Sequence, residues 1–107
     1  MRDNKQLHFT DHVLKRMSQR GFSKTLVYTI IQNGCWSRGY NPSSFKVEHK
    51  GVVVILYEQK HRYDISSCRL NREYTLLAEK IKKRDGISFW ESLHLIMKSL
   101  EEEILNH

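Results

Sequence analysis

The side chains of this sequence best suited to chemistry are His12, Arg16 and Arg20, which recur every four residues. On a helix that spacing stacks them along one side, so an imidazole that titrates near neutrality stands in line with two guanidiniums. Like charges four residues apart repel by a few tenths of a kcal/mol, and the stripe therefore suits an anion such as a phosphate. The plainer reading is a solvated face of a basic protein, with Arg16 or Arg20 paired to a carboxylate elsewhere in the fold. Further along stand His49 and His61 at the ends of an expected hairpin, with Arg62, Tyr57 and Tyr63. Cleaving RNA without a metal needs a base for the 2′-OH, an acid for the 5′-oxygen and a cation on the phosphorane. His12 can be base or acid and His49 or His61 the other. Arg16, Arg20 and Arg62 can hold the phosphate, and Tyr57 or Tyr63 can donate a hydrogen bond.

Other chemistries find less support. Cys35 and Cys68 have no flanking signature and no zinc-like spacing, so both are expected to be buried free thiols. No Gly-rich phosphate loop and no nucleophile elbow is present. His8 and His12 have metal-ligand spacing, but a helix capped at Thr10 leaves His8 outside it, and the pattern calls for no metal and no cofactor.

Local signals define the elements that must position these residues. Thr10 is a good N-cap, with Phe9 and Leu14 at the two positions of a hydrophobic staple and Asp11 in the first turn. Gly21 ends that helix. Ser23 caps a second helix with Phe22 and Val27 as its staple, Leu26, Val27, Ile30 and Ile31 as its apolar face, and Gly34 at its end. The two form a helical hairpin turning at Arg20-Gly21-Phe22. Cys35 to Ser44 reads as a loop or a ragged first strand, broken at Gly39 and Pro42, with Trp36 and Tyr40 partly buried or offered for base stacking. From Phe45 the period changes to two: Phe45 to His49, a turn at Gly51, Val52 to Tyr57, a turn over residues 58 to 61, and Arg62 to Arg69. Between Leu70 and Gly86 strand and helix patterns compete, and Asn71 as cap with Gly86 as stop favours helix. Ser88 and Glu91 make a capping box for a long amphipathic helix through Phe89, Leu93, Ile96, Met97, Leu100 and Ile104, which packs on its own sheet or on a partner.

The expected fold is thus α+β: an N-terminal helical hairpin on a three- or four-stranded antiparallel sheet, followed by two C-terminal helices. The 107 residues make one domain, with a basic core over 1–86 and an amphipathic helix over 87–107. Net charge is +6, yet residues 1–85 hold 17 Lys and Arg against 8 Asp and Glu, while residues 86–107 hold 1 against 4. A basic face confined to the first four-fifths of the chain marks a candidate for nucleic acid. No apolar run is long enough to span a bilayer and the opening MRDNKQLHF lacks a signal peptide's apolar region, so the expectation is a cytoplasmic protein away from membranes.

Thr10, His12, Arg16, Met17, Arg20, Gly21 and Ser23 resemble the signature Thr-x-His-x-x-x-Arg-Met-x-x-Arg-Gly-Ile-Ser of a bacterial and phage family known as domain of unknown function four-two-five-eight. Phe22 stands where Ile is usual. The resemblance is good over residues 8–34 and thins towards Leu70. That family is similar in layout to the barnase, EndoU, colicin and RelE group of small metal-independent ribonucleases, which implies a toxin-like or mobile-element protein acting on RNA. Members end on a strand carrying a Thr or Ser that faces the site, for which Thr75 is the nearest candidate, and the two C-terminal helices have no counterpart in the pattern. The alternative is a non-catalytic inhibitor or adaptor of the kind phages or plasmids encode, which binds a host protein or a nucleic-acid complex through its basic face or last helix, residues 87–107 being also the place for a protein partner or a second copy.

Overall fold

A computed structural model describes residues 5–106. The chain runs β1 (Gln6–Phe9), α1 (Asp11–Arg20), α2 (Lys24–Asn33), β2 (Cys35–Arg38), β3 (Ser44–His49), β4 (Val52–Glu58), β5 (Arg62–Leu70), α3 (Arg72–Asp85) and α4 (Phe89–Leu105). Each helix starts where its cap chemistry requires. Thr10, Ser23, Asn71 and Ser88 accept through their side chains from the backbone N–H three residues on. Gly21 and Gly86 take the left-handed conformation that closes α1 and α3.

The sheet corrects the expectation. It has five strands in the order β1-β5-β4-β3-β2, and β1, which precedes the helical hairpin, pairs with β5 in parallel. An edge strand of four residues joined to a partner more than fifty residues away needs no turn and carries too short an alternation to read locally. The ragged strand after α2 is real but short. β2 ends at Arg38, and the turn that follows leaves Tyr40 fully exposed rather than partly buried. Cys35 is also exposed, on the outermost strand, whereas Cys68 is buried as expected.

All helices lie on one side. Val47 of β3, Val52, Val54 and Leu56 of β4, and Tyr63, Ile65 and Cys68 of β5 share one core with Val13 and Met17 of α1 and Leu26, Val27, Ile30 and Ile31 of α2. The last helix packs within the chain, because Leu93, Ile96, Met97, Leu100 and Ile104 enter that same core. Its acidic end finds partners there: Ser23 donates to Glu101 at 3.4 Å and Lys50 lies 4.0 Å from Glu103. The opposite sheet face, with Lys46, Glu48, Ile55, Tyr57, Asp64 and Ser67, is left partly open.

Candidate functional site

The strand β1 reaches only as far as Ile65 of β5. Beyond that point the β5 edge would present unpaired carbonyls, and α1 runs alongside it, its cap and its last residue each bonding one β5 carbonyl. The Thr10 hydroxyl donates to the Ile65 carbonyl at 3.1 Å, and the Arg20 guanidinium donates to the Cys68 carbonyl at 2.6 Å. Because His12, Arg16 and Arg20 share a helix side, the stripe they form runs along this edge. Arg69, on the exposed sheet face, is near enough to repel Arg20. Burial first, then the charges of Arg16 and Arg69, hold the Arg20 pKa below the usual arginine value. Among the described residues no carboxylate forms an ion pair with Arg16, Arg20 or Arg69. His12 is exposed and Arg16 is half-buried.

A second group sits on the open face where β1 meets β5. His8 lies opposite Asp64 in the parallel register, and its Nδ1 is 3.1 Å from the carboxylate. Arg62 Nε lies 2.9 Å from the same oxygen, and the Gln59 amide donates to the other at 3.3 Å. Tyr57 is the β4 neighbour of Asp64. Asp64, with its side chain only 17% exposed, thus orients an imidazole whose Nε2 makes no hydrogen bond among the described residues. A bulge follows at once. Ile55 faces Ser67 and Leu56 faces Ile65, leaving Ser66 as the extra residue, with its hydroxyl donating to the Ile55 carbonyl at 3.3 Å.

The sequence-predicted residues are therefore divided. Tyr57 and Arg62 both flank Asp64 on the open face, and Arg16 and Arg20 lie together on the bordering helix. His49 and His61 lie at opposite ends of β4, about 20 Å apart by strand rise alone, so only one of them can serve any single site. His61 is exposed beside Arg62, whereas His49 pairs with Val52 on the helix-bearing side. Tyr63 is buried against the rings of Trp36 and Phe45 and is no donor on the open face. Thr75 lies on α3, not on a strand, and its hydroxyl donates to the Asn71 carbonyl. Sequence reasoning missed the pairing of His8 with Asp64. The only signal for it was the alternation Gln6-Leu7-His8-Phe9, with no indication of which strand it would join.

The fold and this geometry define an α+β protein whose open sheet face is bordered by an arginine-bearing helix. A family model described as Domain of unknown function (DUF4258) matches residues 9–85, well over half of the chain, and the chain belongs to that family. No curated protein and no solved structure matches it. The match ends at residue 85, before α4. No helix among the described residues is long and apolar enough to cross a membrane.

Proposed function

We propose that this protein binds the phosphates of an RNA strand along the α1–β5 edge and cleaves the strand on the adjoining sheet face without a metal. The observation that supports this most is the gathering of Arg16, Arg20 and Arg69 with no carboxylate paired to them among the described residues. Such a cluster costs stability in the free protein and is relieved by a polyanion.

In the reaction, the 2′-oxygen attacks phosphorus as a base takes its proton. The bond to the 5′-oxygen breaks as an acid protonates it, leaving a 2′,3′-cyclic phosphate and a 5′-hydroxyl. His8 suits the base, because Asp64 holds its Nδ1–H and stabilises the imidazolium that forms. His12, within ~14 Å of His8 along even a fully extended chain, suits the acid. Arg62, and Tyr57 as a hydrogen-bond donor, stand beside His8 for the phosphorane.

The test is cleavage of a uridine-rich RNA in excess chelator, with the product ends analysed. His8→Ala and His12→Ala should each lower the rate about 100- to 10,000-fold while leaving RNA affinity within a few-fold. Wild-type protein that binds RNA and cuts none would refute the catalytic part. A second reading, a non-catalytic adaptor that holds a protein through α3 and α4, is favoured by the exposure of Leu77 and Leu95. It would be selected if Leu77→Asp with Leu95→Asp abolished function in cells while the wild type cleaved nothing.

A further inference from the structure

A cavity of about 330 Å³ opens between the C-terminal ends of α1 and β5 and the first turns of α3 and α4. That is the small end of the range for ligand sites, roughly 300–1,000 Å³. Its lining has two chemistries. Arg20, Arg69 and Arg72 bring three guanidiniums, and no Asp or Glu is among the lining residues described. Leu76, Phe89 and Trp90 bring apolar surface, with Leu76 52% and Trp90 45% exposed, above the buried Phe22, Leu93 and Met97. Phe89 and Trp90 meet edge to face, with ring centroids 5.8 Å apart.

These walls define the occupant. Inorganic phosphate would answer the arginines and leave exposed aromatic surface in water. A neutral aromatic molecule would cover that surface and leave the guanidiniums repelling one another. A ligand with a flat ring joined to a phosphate satisfies both. We propose that this cavity is a nucleotide-binding site, in which the base packs on Trp90 and Phe89 and the phosphate lies on Arg69 and Arg72. Arg20, already tied to the Cys68 carbonyl, adds charge without moving. The aromatic half comes from α4, which lies outside the residues the family model matches. The proposal rests on the reading of Arg20 and Arg69 as phosphate-facing and is independent of cleavage. The nucleotide can be free or part of an RNA strand.

Calorimetric titration with AMP, UMP, adenosine and inorganic phosphate separates the parts. AMP or UMP should bind at least tenfold more tightly than adenosine or phosphate. Arg72→Ala should weaken AMP tenfold or more and leave adenosine unchanged, and Trp90→Ala should weaken both. Both side chains are exposed, so thermal unfolding should confirm intact folds. A four-nucleotide RNA distinguishes the sources: tighter binding than AMP, with AMP as competitor, identifies a strand, and the reverse identifies a free nucleotide. No heat with either nucleotide at millimolar concentration, or binding indifferent to both variants, overturns the proposal. RNA binding that AMP does not displace and Trp90→Ala does not weaken, together with no binding of AMP or UMP, overturns the pocket and leaves the phosphate track standing. AMP bound in the pocket with no RNA bound overturns the track and leaves the pocket.

Discussion

Replacing Arg16 and Arg69 together by alanine removes charge from the α1–β5 edge and spares Arg20, whose bond to the Cys68 carbonyl makes it part of the fold. Each arginine that neutralises one phosphate of a single strand contributes about 0.7 to the slope of log K against log salt. The double variant should therefore flatten that slope by about 1.4. Between about 50 and 200 mM salt, a span of ~0.6 log units, wild-type affinity should fall ~7-fold more than that of the variant. Stability should not suffer, because Arg16 and Arg69 both repel Arg20 and neither forms an ion pair among the described residues. Relief of the Arg16–Arg20 repulsion alone is worth a few tenths of a kcal/mol. The assay is fluorescence anisotropy of a labelled single-stranded RNA over a salt series, with thermal unfolding run on the same samples. An unchanged slope in a folded variant would refute the assignment of this edge to phosphate.

Two further outcomes test the structure itself. Burial pushes the Cys68 thiol up to about 12 from about 8.5 in an unfolded chain. The folded state keeps a proton that the unfolded state gives up, so this contribution is complete below pH ~8.5 and is lost as pH rises towards 12, at up to ~1.4 kcal/mol per unit. The stability gap between wild type and Cys68→Ala, measured by urea unfolding, should narrow from pH 8 to pH 10, and a constant gap would contradict the burial of that thiol. At the β3–β4 turn Gly51 has φ +89° and a Cβ there would run into the Tyr74 ring. Gly51→Ala should cost about 2–3 kcal/mol, and adding Tyr74→Ala should recover the clash but not the backbone strain; an equal loss in both backgrounds would mean that Tyr74 does not pack on the turn.

The helices were legible because their signals are local. Thr10, Ser23, Asn71 and Ser88 each bond to a backbone N–H three residues away, so cap and helix sit in one short window. The competition between strand and helix after Leu70 resolves to α3 because the Asn71 cap and the Gly86 stop agree. The central hairpin was equally plain, since Val52 to Tyr57 is strongly β-forming. What stayed hidden is non-local. Nothing in residues 6–9 names β5 as partner, and the site on the open face depends on that pairing. A strict alternation along β5 would put Ser66 on the face of Arg62 and Asp64, and it fails because the bulge opposite Ile55 and Leu56 resets the period. The sequence showed which groups have chemistry, and only the sheet order shows which of them meet.

The parallel pairing of β1 with β5 also sets an order of events. His8 leaves the ribosome 56 residues ahead of Asp64, and every strand between β1 and its partner must be made first. Contacts this distant in sequence form late, after local helices and hairpins. The helical hairpin and the β3–β4 hairpin can therefore take shape while His8 still lacks its carboxylate. A nascent chain would therefore carry the arginine stripe of α1 before it carried an oriented imidazole.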